Sequence, residues 1–176
     1  MSLTYADLQD LLIQREERTQ QWRDELYDKA VEFSVALEAK MSPPTDPIKL
    51  PSTTDVWPPF QLSVPVEVEE TPSIRGQLVR PGFEKYISQG ALRFSIVLSF
   101  ENEGPLCSIV CSCMVRLHEG VSKFGFGDAL DAVSNWYILD DAVIAFLERI
   151  EVAYQSDSYA RSDKSPVGFV HLFAQH

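Results

Sequence analysis

The sequence predicts an α+β fold, an antiparallel β-meander of about five strands packed on one face by helices, with a long N-terminal helix and a Pro-rich connector. Three observations carry this. Leu92, Phe94, Ile96, Leu98 and Phe100 alternate with Arg93, Ser95, Val97, Ser99 and Glu101, and Cys107, Ile109, Cys111, Cys113, Val115 and Leu117 repeat the period of two after the turn-like run Asn102–Pro105. Such alternation is the pattern of a strand with one buried face and one face largely in water, so the two runs form a hairpin at the centre of a sheet. Residues 1–42 contain neither Pro nor Gly, whereas residues 42–60 contain six prolines. The first stretch therefore suits a helix, and the second excludes regular helix or a central strand.

The chain divides accordingly into a long helix over 1–41, an extended connector over 42–60 and an α+β body over 61–176, together one domain. Thr4 is placed as an N-cap with Asp7 at the third helical position. Tyr5, Leu8, Leu12, Trp22, Leu26, Ala30, Phe33, Leu37 and Met41 fall on one helical stripe, which lapses between Gln14 and Gln21. We expect a single helix that packs through its C-terminal half, leaving Leu8, Leu11, Leu12 and Ile13 free for a partner. Trp57 and Phe60 are placed to pin the connector to the body.

Leu62, Val64, Val66 and Val68 alternate with polar residues and read as a half-buried strand, with Pro65 marking an edge position. Ile74 to Arg80 is a weaker strand. Arg80–Phe83 turns the chain towards the central hairpin. Lys123–Asp128 leaves the sheet, Asp128 caps a short helix to about Asn135, and Asp140 caps a longer one with Leu139 and Ile144 as a hydrophobic staple. Val143, Phe146, Leu147, Ile150 and Tyr154 line the buried side of that helix. Val167–Phe173 reads as a last strand beside the meander.

Composition narrows the functional classes. At 45% hydrophobic and 23% charged residues, the 176-residue chain is globular in character. Its net charge is −11. The acid excess lies mainly in residues 1–41 and 128–176, while residues 91–127 carry three acids and three bases. No basic footprint for a nucleic-acid backbone exists, so direct binding there is not expected. No apolar run is long enough for a bilayer, and residues 1–7 have no basic segment followed by an apolar one, so neither a membrane span nor a secretory leader is expected. Three cysteines on one strand do not make a disulfide framework, which suits a reducing cytoplasm.

Chemistry-bearing motifs are weak. Cys107, Cys111 and Cys113 share a strand face, but a rise of about 3.3 Å per residue holds Cys107 and Cys111 roughly 13 Å apart, too far for one zinc. They read as small core hydrophobes. His118 lies on the opposite face from Cys113 by parity, and nothing basic surrounds the thiols to lower their pKa. Gly125-x-Gly127-Asp128 lacks the third glycine of a dinucleotide loop and the Lys-Ser/Thr of a P-loop. Asp128, Asp131, Asp140 and Asp141 read as helix-start acids that offset the macrodipole. We therefore expect no catalytic, cofactor-binding or metal residues. The chain reads as a non-catalytic protein-binding module, such as an acidic inhibitor or immunity-type protein that occludes a surface. Leu8, Leu11, Leu12, Ile13, Trp57 and Trp136 are its candidate partner-binding residues, and the partner is a second copy or a basic protein. The alternatives are a small-ligand pocket lined by Arg93, Tyr137 or His171, or a modest enzyme using it, and a structural subunit of a homo-oligomer.

Overall fold

A computed structural model describes residues 4–49, 56–65, 77–80, 82–100, 107–127, 129–155 and 169–173. Its element order is α1 (Tyr5–Met41), β1 (Ile48–Lys49), β2 (Val56–Trp57), β3 (Phe60–Ser63), β4 (Ile87–Ser88), β5 (Ala91–Phe100), β6 (Cys107–His118), β7 (Val121–Phe126), α2 (Leu139–Gln155) and β8 (Phe169–Phe173). The α+β class is as expected.

α1 is one uninterrupted helix of 37 residues, about 55 Å long at 1.5 Å per residue. A capping box starts it: Asp7 N donates to Thr4 Oγ1 at 3.3 Å, and Thr4 N donates to Asp7 Oδ2 at 2.8 Å. Ser42, in the left-handed region at φ 46°, ends it by donating its N–H to Glu38 O, and Pro43 follows. The connector is not wholly extended coil. Within it β1 and β2 pair as a two-residue antiparallel ladder, apart from the main sheet.

In the main sheet β5 and β6 pair along their whole length, from Ala91 opposite Arg116 to Phe100 opposite Cys107. The free edge of β5 is shared by β3 and β4, and that of β6 by β7 and β8. All pairings are antiparallel. The β4–β5 and β6–β7 links are two-residue hairpin turns, Gln89–Gly90 and Glu119–Gly120, with φ positive at both positions of each. That is the type I′ geometry whose twist matches the strands. The segments 101–106 and 66–76, with the expected Asn102–Pro105 turn and the second half of the strand over 62–69, lie outside the described residues.

The inner face of the sheet packs under both helices. Leu92, Phe94, Ile96 and Leu98 of β5, Ile109, Cys111, Cys113 and Val115 of β6, and Phe124 and Phe126 of β7 are buried with Leu26, Ala30, Phe33 and Leu37 of α1 and Ala142 and Phe146 of α2. Phe33 is the hub. Its ring stacks on Phe124 at 5.0 Å and lies 5.9–6.2 Å from Phe94, Phe126 and Phe146.

Three local expectations are corrected. The outer face of the hairpin is not in water: Ser95, Val97 and Ser99 of β5, Val110 and Met114 of β6, and Ser63 of β3 are buried too. Serine is small enough to lie under a second layer, and Ser63, Ser95 and Ser99 all have interaction partners, as buried hydroxyls require. α2 starts at Leu139, with Ala142 N donating to Ile138 O, so Asp140 sits in the first turn instead of capping it. Ile144 is consequently exposed and makes no staple with Leu139. In place of a helix from Asp128 to Asn135, a single 3-10 turn covers Leu130–Ala132.

Candidate functional site

The sequence-derived site residues fall into three separate places. Leu8, Leu11, Leu12 and Ile13 stand on α1 ahead of its junction with the body. From Tyr5 to Gln21 only Thr19 is less than exposed, and burial begins at Trp22. The apolar side chains there range from 48% exposed at Leu8 and Leu11 to 83% at Tyr5. At 100° per residue, Tyr5, Leu8 and Leu12 share the azimuth of Leu26, Ala30, Phe33 and Leu37, and Leu11 flanks it about 70° to one side. Beyond the polar stretch from Gln14 to Gln21, the stripe that docks α1 on the sheet thus resumes, uncovered, over the roughly 10 Å from Leu12 to Tyr5. Ile13 is exposed as well, but roughly 100° round from Leu12 and off that stripe.

The point where the helix leaves the body is fixed by polar contacts. Arg80 donates from Nη1 to Asp24 Oδ1 at 3.2 Å, from Nη2 to the Asp24 carbonyl at 3.1 Å, and to Asp28. Its guanidinium also covers the Tyr27 ring at 4.5 Å. Ahead of this clamp, side chains bond back to their own helix: Arg18 Nε to Gln14 O at 3.2 Å and Thr19 Oγ1 to Arg15 O at 2.8 Å. The gap in the stripe between Gln14 and Gln21 is therefore a solvated helical turn, with no break in the helix.

Trp136 sits on the other side of the sheet. Arg116 of β6 lies 3.9 Å over its ring, and its Cε3 is 3.3 Å from where a Cβ on Gly125 would stand. Trp136 is half-buried and is not brought together with the free leucines. Trp57 lies in β2, with its side chain outside the described residues. The other polar candidates also separate. Tyr137 bridges to Phe124 through the backbone and packs against Phe126, at 5.9 Å between rings. His171 is in β8, with its side chain outside the described residues. Arg93, on the outer face of β5, lines a cleft of about 340 Å³ with Ser88, Gln89, Met114, Leu130 and Asp131.

The thiols offer little chemistry. Cys111 and Cys113 are fully buried, and burial pushes both pKa values well above the ordinary thiol value, the opposite of what a nucleophile needs. His118 is exposed at the end of β6. Among the described residues no three His, Cys, Asp or Glu side chains are grouped to hold a metal ion, and no helix is long and apolar enough to cross a membrane. Sequence reading missed Gln89 and Arg116, and took Asp131 only as a helix-start acid. Nothing in the linear pattern marks them, because only the strand register brings Arg93, Met114 and Arg116 onto one face. No family model matches this chain, and no curated protein or solved structure is significantly similar to it.

Proposed function

We propose that this chain is a non-catalytic protein-binding module whose binding element is the free N-terminal half of α1, and whose first partner is a second copy of the chain. The observation that carries the reading is the uncovered recurrence of the docking stripe at Leu12, Leu8 and Tyr5, with Leu11 exposed beside it. An amphipathic helix face of this kind is the standard element of helix–helix and helix-in-groove recognition.

A second copy fits for reasons of charge and symmetry. Two such helices paired antiparallel about a twofold axis near Leu12 set Leu12 of each against its copy and lay Leu8 and Tyr5 of each along the Gln14–Gln21 stretch of the other, a self-complementary arrangement as an isologous interface requires. The pairing brings Asp7 of each helix towards Arg18 of the other and opposes the two macrodipoles. The free thiols Cys111 and Cys113 suit a reducing compartment such as the cytoplasm.

Sedimentation velocity over a concentration series tests this. The wild type is expected to shift from monomer to dimer with concentration, and Leu8→Glu/Leu12→Glu to stay monomeric. Ile144→Glu, at an equally exposed residue of α2, should behave as wild type. A wild type that remains monomeric up to its solubility limit, or an Ile144→Glu variant that dissociates equally, overturns the proposal.

A further inference from the structure

The outer face carries a feature that helix pairing does not use. The acids of this chain outnumber its bases by 26 to 15, yet three cations collect on that face with no acid beside them in the strands. Strand register sets Arg93 next to Met114, and Met114 next to Gly125. One step along, Ala91, Arg116 and Lys123 form the adjoining row. Arg93 makes no ion pair or hydrogen bond with any described residue. The Nε of Arg116 is buried without a hydrogen-bond partner, and its guanidinium lies on Trp136. An unmet donor in such a place is costly unless something supplies an acceptor.

Arg93 opens into the cleft of about 340 Å³ whose floor is Met114. One wall is the Ser88–Gln89 edge of the type I′ turn, and the other is Leu130–Asp131. Asp131, the acid of this lining, forms no salt bridge with Arg93. The cleft therefore presents a guanidinium on its sheet side and a carboxylate on its loop side, held apart, with an apolar floor and the Ser88 hydroxyl and Gln89 amide at the rim. The planar fork of arginine matches a carboxylate bidentately, and an ionised aspartate only accepts hydrogen bonds, so it suits an ammonium. The volume is at the small end of the range for ligand sites.

We infer that this cleft binds a small zwitterion of the amino-acid class, with its carboxylate on Arg93 and its ammonium on Asp131. Arg116 and Lys123 deepen the positive potential at the carboxylate end. A plain dianion is disfavoured by Asp131, and a plain cation by Arg93.

The full chain labelled with 13C-methyl methionine provides the test. It contains three methionines, Met1, Met41 and Met114, of which Met114 is the floor of the cleft. The free L-α-amino acids are titrated one at a time, with acetate and methylammonium as single-charge controls. At least one amino acid should move the Met114 methyl signal saturably while Met41 stays fixed, and neither control should do so at the same concentration. Arg93→Leu and Asp131→Asn should each weaken that binding at least tenfold, with the Met41 signal reporting an intact fold. The inference is overturned if no amino acid moves Met114, if acetate alone moves it equally, or if the two variants bind as the wild type does.

Discussion

Gly125 provides the sharpest test of the packing, because two ordinary arguments give opposite signs. It lies inside β7, where glycine costs about 0.5–1 kcal/mol relative to alanine through backbone entropy. Its φ is not in the left-handed region, so conformation alone predicts that Gly125→Ala stabilises. Space predicts otherwise. The new Cβ would fall well inside van der Waals contact with Val133 Cγ1, and would also press on Val133 Cγ2 and Trp136 Cε3, each at 3.3 Å. Forcing a methyl into a packed site costs about 1–3 kcal/mol. The net expectation is a loss of roughly 0.5–2 kcal/mol, with overpacking the larger effect. Urea unfolding measures it, and the m-value should not change. Val133→Ala removes the offending methyls, so the double variant Gly125→Ala/Val133→Ala should lose less than the two single losses combined, with a coupling of at least about 0.5 kcal/mol. Trp136 fluorescence should shift in Gly125→Ala and return towards wild type in the double variant. A Gly125→Ala protein more stable than wild type, or strict additivity in the cycle, refutes the claim that residues 129–136 are packed onto the outer face.

Other expectations follow from the same geometry. Phe33→Ala should cost about 3–5 kcal/mol by urea unfolding, against less than about 0.5 kcal/mol for Val35→Ala two residues away on the exposed side of α1. Cys111 and Cys113 should resist a thiol reagent at neutral pH until the chain unfolds. Because burial raises both folded-state pKa values above the ordinary 9.0, the folded state keeps protons that the unfolded state releases; stability is intact below pH 9.0 and falls above it, by up to about 1.4 kcal/mol per pH unit for each thiol, as equilibrium unfolding at stepped alkaline pH would show. Gln89→Gly and Glu119→Gly should each stabilise by about 0.5–1 kcal/mol in thermal unfolding, since both native residues hold left-handed backbone. Deleting residues 1–20 should leave the melting temperature nearly unchanged while abolishing concentration-dependent association.

The elements that sequence reading located are those whose pattern is local. The absence of Pro and Gly and the Thr4/Asp7 pair define α1, and period-two alternation defines β5 and β6. Its failures are non-local. Ser95, Val97 and Ser99 look like a wetted face, because serine is as common on a surface as under a close second layer. Only the register of Ser63, Ser95 and Ser112 across three strands shows that small side chains line up there. Asp140 looks like a cap because acids favour both the cap and the first turn of a helix. The candidate sites divide in the same way. The free leucines of α1 were legible because the stripe lapses visibly in the sequence. The cleft was not, because Gln89 with Arg93, Met114, and Asp131 come from three chain segments and meet only through pairing and the crossing of residues 129–136.

The energetics of α1 separate its two halves, of which only the second supports the body. Residues from Leu26 to Leu37 place four fully buried side chains in the core, and each large one contributes about 1.5–3 kcal/mol. Residues 5–21 bury none, so their removal takes nothing from that core. A free helical segment of this length is also marginal by itself in water. What the free half can contribute lies in a partner. Leu8, Leu11 and Leu12 are about half exposed, so covering them would contribute roughly 1 kcal/mol each, and a symmetric pair about 6 kcal/mol. Association costs on the order of 4–15 kcal/mol in lost rigid-body freedom. The leucine pairing alone therefore supports a weak, concentration-dependent dimer. A tight one requires Tyr5 and the half-buried Trp22 to be covered as well, which places the body of each copy against the free helix of the other.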